Sequence, residues 1–398
     1  MRTLHIRNFG PIADSGILSL KPAIVLCGRQ GSGKSTIAKL ISTCSWIEKA
    51  IVRKEISAKS ITARSFKDKY CGYHYLSNFF RGNETYIRYQ GDAVSITFKD
   101  DNIIIKESPE NDYNMPQIMY IPAERNFMVA VEQAERITNL PPSLSTMQQE
   151  FKKALNFGDY KIPIDGFSVH YDKLNKITWL MGANHRLRVH EAASGLQSVI
   201  PMIVVSDYLS NHVESGDSHT KSVEELEKLQ KEINNILENK NLDENIRKIL
   251  IENINKRYQN KCFLNIVEEP EQNLFPLSQK DVLHTLLTIF NKNNNNKLVM
   301  TTHSPYIINE ISLAVKAYLV KYKAENSHLE KKLYDIVPQN SCLAPNMLAI
   351  YEIMDNGTVS QLPLYDGIPS DENYLNGYLM DSNDRFNQLL ELEDELES

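Results

Sequence analysis

Over the first hundred residues apolar and polar positions alternate in short runs, and "TLHIRNF", "GILSLK" and "AIVLCG" each read as a strand set off by Gly and Pro. The third runs directly into "GRQGSGKST", after which Ile37, Leu40, Ile41 and Cys44 recur at helical spacing between Thr36 and Ile47. The local order is strand, glycine loop, helix. "ETYIRYQ", "AVSITFKD" and "NIIIKES" alternate at period two with brief polar breaks and predict an antiparallel meander, followed by a strand, "QIMYIPAER", that stops at Pro122. "GFSVHYDKLNKITWLMGANHRLRVHEAASG" predicts two or three more strands leading into a helix from Gly195. "FLNIV" and "KLVMTT" are apolar runs fit for buried strands.

Between about Ser215 and Lys261 the composition shifts to Glu, Lys and Asn. Val223, Leu226, Leu229, Ile233 and Leu237 mark one helical stripe, and Ile246, Ile249, Leu250 and Ile254 a second, with Asp243 placed as an N-cap between them. A short helical hairpin is expected, its charges forming either a solvated face or a partner-binding one. The acidic ending "LLELEDELES" reads as a frayed helix or a docking tail. The expected division is an N-terminal lobe with glycine loop and β subdomain (1–130), a helical and β lobe (131–214) and the hairpin insertion (215–261). The rest of the core (262–342) and a tail (343–398) follow.

Composition narrows the functional classes. A chain of 398 residues with 42% apolar content supports a sizeable globular core, and a net charge of −6 gives no global basic field for nucleic acid or an anionic membrane. The five cysteines, Cys27, Cys44, Cys71, Cys262 and Cys342, are odd in number and never form C-x-x-C, which argues against a disulfide framework or a zinc site. No apolar stretch approaches the roughly 18 residues of a membrane span, and "MRTLHIRNFG" lacks a signal-peptide core, so a cytoplasmic protein without membrane contact is expected.

"GRQGSGKS" fits G-x-x-x-x-G-K-[ST], in the strand–loop–helix context that gives the pattern meaning. Glycines let backbone amides turn toward phosphate oxygens, and the helix N-terminus favours the same anion. The loop running from Gly28 through Gln30, Gly31, Ser32 and Gly33 to Lys34, Ser35 and Thr36 is therefore the candidate phosphate cradle, with Lys34 on the β/γ-phosphates and Ser35 on Mg²⁺. "FLNIVEEPEQNLFP" ends an apolar strand in two carboxylates, which either sit in water at a strand tip or await a cation. Beside a phosphate loop that cation is Mg²⁺: Glu268 orients the metal and Glu269 polarises the attacking water, on a strand expected to lie beside the loop strand. "KLVMTTHSP" brings His303 to another strand end, where a neutral imidazole can hydrogen-bond the γ-phosphate. "EAASGLQS" opens a helix at Ser194 and Gly195, whose free amides form an anion site if another molecule's phosphate reaches them.

Phosphate loop, S-G-x-Q, an apolar strand ending "EEPE", and "THSP", in that order, resemble the ATP-binding-cassette ATPases of the soluble branch related to SMC and RecF proteins and to the ATPase of OLD nucleases. "EEPEQNLFP" and the opening "LHIRNFGPI" are similar to stretches of OLD-like proteins, and the likeness spans residues 1 to about 312. It implies an α/β fold: a P-loop core sheet with an antiparallel β subdomain and a helical lobe carrying the signature. It implies that Lys34 and Ser35 serve the P-loop, Glu268 the magnesium, Glu269 the water and His303 the switch. Ser194, Gly195 and Gln197 would cap ATP on the opposite subunit of a head-to-tail homodimer, alone or within a higher assembly. Where the family places its Q-loop glutamine this chain has Glu124 and Arg125, with Gln117 ahead of the strand.

Stand-alone ATPases of this kind serve bacterial anti-phage systems, so the resemblance implies a separate nuclease or toxin effector as partner. A RecF-like DNA-binding role is the alternative if Lys49, Arg53, Lys54, Lys59, Arg64, Lys67 and Lys69 form a basic face rather than ordinary solvated charges. A nuclease module of its own is the other alternative, but the tail, which has Asp355, Asp366, Asp371 and Asp384, contains no D-x-D.

Overall fold

A computed structural model describes residues 2–108, 113–131, 137, 139–213, 223–239, 242–325 and 327–397. The strands are β1 Thr3–Phe9, β2 Ile12–Ser19, β3 Ala23–Gly28, β4 Tyr86–Gln90, β5 Val94–Lys99, β6 Asn102–Glu107, β7 Pro116–Ile121 and β8 Tyr160–Lys161. Then come β9 Ser168–Asp172, β10 Ile177–Met181, β11 Arg186–Arg188, β12 Cys262–Glu268, β13 Lys297–Thr302, β14 Leu348–Ile353 and β15 Val359–Gln361. The helices are α1 Lys34–Val52, α2 Ala63–Ser65, α3 Phe127–Ala130, α4 Pro142–Phe157, α5 Ser194–His212 and α6 Val223–Glu238. After them run α7 Glu244–Tyr258, α8 Pro276–Asn291, α9 Pro305–Ala324, α10 Glu330–Ile336 and α11 Tyr374–Glu397.

The run ending at Gly28 lies inside a six-stranded sheet of order β15-β14-β3-β13-β12-β7, parallel except for β15. Every residue of β3, β12 and β14 is buried, as expected where helices or a second sheet cover both faces of a parallel sheet. Successive side chains alternate between two cores. Ile24 and Leu26 of β3 pack with α1 residues Ile37, Leu40 and Ile41 and with the antiparallel sheet β2-β1-β4-β5-β6, which is the meander joined by the first two strands. Ala23, Val25 and Cys27 face the second core, built with α4, α5, α8 and α9 and with Val169 and Leu180 of a small antiparallel sheet, β11-β10-β9-β8. The expected fold class is the observed one: α/β, a P-loop core sheet with an antiparallel β subdomain and a helical lobe.

Two placements differ from the sequence reading. The strand bearing Glu268 does not neighbour the loop strand; β13 lies between them, pairing Thr302 with Cys27 on one side and Thr301 with Glu268 on the other. β12 is instead buried between β13 and β7. The second difference is that "LAIYEI", set in the tail, is β14, pairing directly with β3 from Leu348–Ala23 to Ile353–Gly28. Helices α6 and α7 occupy the segment read as a hairpin, and Asp243 accepts the Ile246 N–H at 2.9 Å. Residues 215–222 and the side chain of Val223 lie outside what is described. Among the described residues no helix is long and apolar enough to cross a membrane.

Candidate functional site

Between β3 and α1 the chain passes through Gly28, Gly31 and Gly33 at φ of 143°, 77° and 114°, all in the half of conformational space that side chains rarely enter. Space demands glycine as well: a Cβ on Gly28 would meet the Ile353 carbonyl oxygen at 2.6 Å, and one on Gly33 would meet Ile12 Cδ1 at 2.5 Å. Gly33 is the cap residue of the 19-residue α1 and offers no side-chain oxygen to its first amides. Those amides are donors for an anion. Ser32 Oγ is buried without a hydrogen-bond partner among the described residues, Ser35 is half-buried and Thr36 buried, while Arg29, Gln30 and Gly31 are exposed.

Lys34 is 4% exposed, and its Nζ donates to the carbonyls of Gly28 at 2.9 Å and Arg29 at 2.7 Å. Burial pulls its pKa down to about 8 against the raising influence of Glu269 and Glu271. β13 ends by carrying His303 between the two halves of the site. The ring's Nδ1 lies 3.1 Å from the Gly28 carbonyl oxygen and 3.2 Å from Lys34 Nζ, and its Nε2 lies 2.8 Å from Glu269 Oε1. The hydrogen bond from His303 holds the Glu269 carboxyl below its ordinary range, with burial acting the other way. Glu271 fixes the histidine from behind: its Oε1 accepts the His303 N–H and the Thr302 hydroxyl, both at 2.7 Å, while burial raises its pKa. The third acid of "EEPE" is thus a scaffold for His303.

Glu268 is 5% exposed; its Oε2 accepts the Ala123 N–H at 3.2 Å, and its Oε1 is buried with no hydrogen-bond partner among the described residues. An orphaned buried carboxylate oxygen in a site with the hydroxyl of Ser35 is a hard-oxygen donor set, and the residues fit Mg²⁺. Glu269 takes φ of 45°, the left-handed region that few side-chain-bearing residues adopt. Its N–H is held by the Thr301 carbonyl at 3.0 Å and its own carbonyl by Arg125 Nη2 at 2.7 Å.

Ser194 stands exposed at the start of α5, separate from the loop just described. Gly195 is buried where a Cβ would come within 2.7 Å of the Asn273 carbonyl oxygen, which packs this helix start against the turn after "EEPE". Gln197 is folded back onto its own loop, Nε2 donating to the carbonyls of His190 and Ala192 at 2.9 Å each. Sequence reasoning had no role for Arg125, which is 0% exposed and donates from Nε to Ser198 O at 3.0 Å and from Nη1 to Pro122 O at 3.2 Å and Glu268 O at 2.5 Å. Burial pulls its pKa down to about 10, and Glu271, Glu268 and Glu269 oppose that. A motif scan finds no such residue, because its partners are main-chain carbonyls.

The basic stretch fares differently. Lys49 and Arg53 are buried and paired with Glu225 of α6, so they belong to no surface face; Lys67 pairs with Asp101, Arg64 with Asp68, and Lys54 and Lys59 are exposed. Of the tail acids, Asp355 pairs with Arg29 at 3.1 Å beside the loop. Among the described residues no group of three or more His, Cys, Asp or Glu converges to hold a metal ion.

No family model matches the chain, and no curated protein does. Solved structures align along most of its length. An SMC head domain from Thermotoga maritima aligns at 10% identity over 92% of this chain and 100% of that one, TM-score 0.35. An Smc head bound to the C-winged helix domain of ScpA aligns at 11% over 92% and 98%, TM-score 0.39. The recombination mediator protein RecF aligns at 11% over 91% and 97%, TM-score 0.31. Likeness at this level carries no weight for function, which rests on the chain's own geometry.

Proposed function

We propose that this chain is a magnesium-dependent ATPase of the cassette type, which closes a head-to-tail dimer around ATP and passes the closed or open state to a separate effector protein. The observation that carries the reading is the convergence, at the C-terminal ends of β3, β13 and β12, of a glycine cradle, a buried lysine, an orphaned carboxylate oxygen and a Glu–His pair. A structural turn needs none of the last three.

Each group has a distinct task. The amides from Gly28 to Thr36 receive phosphate oxygens, and Lys34 exchanges two carbonyls for them without leaving its place. Ser35 and Glu268 would hold Mg²⁺, which would supply charge neutralisation to the phosphates. Glu269 accepts a proton from the attacking water; His303, on its Oε1 at 2.8 Å, orients the carboxylate and keeps it ionised. Ser194, exposed at the start of α5, supplies the partner copy's site, so binding energy from both subunits is available only in the closed state. The motif resemblance supports a nuclease or toxin of a bacterial anti-phage system as the effector. The DNA-binding alternative has lost Lys49 and Arg53 from its basic face.

Solution mass tests the reading. With Glu269→Gln, light scattering on a sizing column should give the 45.6 kDa monomer without nucleotide and a dimer with Mg-ATP, while turnover falls at least about a hundredfold. A variant that binds ATP and stays monomeric would leave Ser194 without a phosphate and end the cassette mechanism.

A further inference from the structure

We propose that Arg125 is a positioning residue that couples occupancy of the α5 N-terminus to the orientation of Glu269. The inference rests on the ATPase reading and adds to it a route by which the partner subunit's ATP controls hydrolysis.

One side chain spans three elements. Arg125 Nε donates to Ser198 O on α5 at 3.0 Å, Nη1 to the carbonyls of Pro122 and Glu268, and Nη2 to the carbonyl of Glu269 at 2.7 Å. Ser198 lies about one turn beyond Ser194, the residue at the open helix start. A helix is stiff along its axis, so a phosphate drawn onto those first amides displaces the Ser198 carbonyl with them. The planar guanidinium carries that displacement to the Glu269 carbonyl, because its fork has fixed geometry.

The receiving end is a residue that needs holding. Glu269 sits at φ of 45°, kept there by Thr301 on its amide side and Arg125 on its carbonyl side. Releasing either lets the backbone relax and turns the carboxylate away from its histidine. Arg125 reaches only backbone oxygens in this cluster, so Glu268 and Glu269 keep their carboxylates for other partners. A second contact ties the same junction, Ser198 Oγ to Gln272 Oε1 at 3.2 Å.

The test uses the full chain with Arg125→Lys, following steady-state hydrolysis and the binding of a fluorescent ATP analogue. Lysine keeps the charge but cannot span three elements. KM and analogue affinity should stay within about threefold of wild type while kcat falls about a hundredfold, as for a reacting group displaced by about 1 Å. Wild-type kcat, or a raised KM with kcat unchanged, would overturn the inference. Ser194→Glu, which blocks anion binding at α5, should lower kcat, and in the double variant the two kcat losses should fall far short of their product; a full product means independent action and also overturns it. Should Arg125→Lys fail to fold, Gln272→Ala loosens the junction without touching the arginine and should lower kcat about threefold with KM unchanged; wild-type kcat there counts against the inference. A wild-type chain that neither binds nor hydrolyses ATP removes the ATPase reading itself, an outcome the variants cannot imitate.

Discussion

Among the described residues two arginines are 0% exposed, Arg125 beside the carboxylates and Arg53 at the far end of α1, and they are held in opposite ways. Arg53 is held mainly by side chains: its Nη1 donates to Glu225 of the hairpin and lies 3.5 Å from Glu55, and its Nη2 donates to Asn260 at 2.8 Å. Lys49, one turn earlier, reaches the same Glu225 at 3.3 Å. Arg125 is held by carbonyls alone among its hydrogen bonds. A carboxylate in direct contact neutralises the cation and is itself occupied by it, which leaves a closed joint. A carbonyl satisfies the cation and leaves nearby carboxylates unsaturated, as Glu268 Oε1 is. The first arrangement belongs to a framework, and the second suits the proposed site, whose carboxylates must stay open to a metal and a water.

The largest effect that separates the two is on stability. Arg53→Met keeps bulk and removes the charge, so the hairpin loses the Arg53–Glu225 pair that ties it to the end of α1. Breaking a buried pair from one side costs about 3 kcal/mol, and the urea midpoint should drop accordingly. Turnover per folded molecule should not change. If kcat fell as far as for Arg125→Lys, the hairpin would be part of the catalytic device and the distinction between the arginines would fail.

The sequence carried most of what is local. The glycine loop needs φ values only glycine takes freely, alternation fixes the faces of β4 and β5, and Asp243 announces α7 by its own hydrogen bond. What it did not carry is the order of strands and the carbonyl partners. β14 pairs with β3 from the other end of the chain, and nothing within "LAIYEI" names that partner. The position of β13 between β3 and β12 follows from the same kind of distant pairing. Arg125 was visible only as a mismatch at the place of an expected glutamine. A carbonyl acceptor is offered by every residue, so no residue type at the other end marks the contact.

Lys34 sharpens the comparison, because it is another buried cation, held by carbonyls like Arg125 but able to lose its proton near neutrality. Glu269, Glu271 and Glu268 face it and raise its pKa, as does Cys27, whose own thiol burial pushes up to about 12; burial outweighs them and leaves the lysine at about 8. Phosphate oxygens in place of the Gly28 and Arg29 carbonyls restore full protonation, so ATP binding takes up a proton above that pH. Apparent affinity should therefore fall about tenfold between pH 7 and pH 9, with little change below pH 7. For the nucleotide-free chain the sign reverses. The unfolded lysine titrates at the ordinary 10.5 and the folded one at about 8, so between these values the unfolded state binds more protons and Lys34 adds stability as pH rises. Calorimetric titrations of ATP in two buffers of different ionisation enthalpy would read the proton uptake directly. Uptake at pH 9 that vanishes in Lys34→Arg assigns it to this residue, since arginine stays charged. Unaltered uptake in that variant would move the proton elsewhere and leave Arg125 as the one carbonyl-held cation with a part in the site's chemistry.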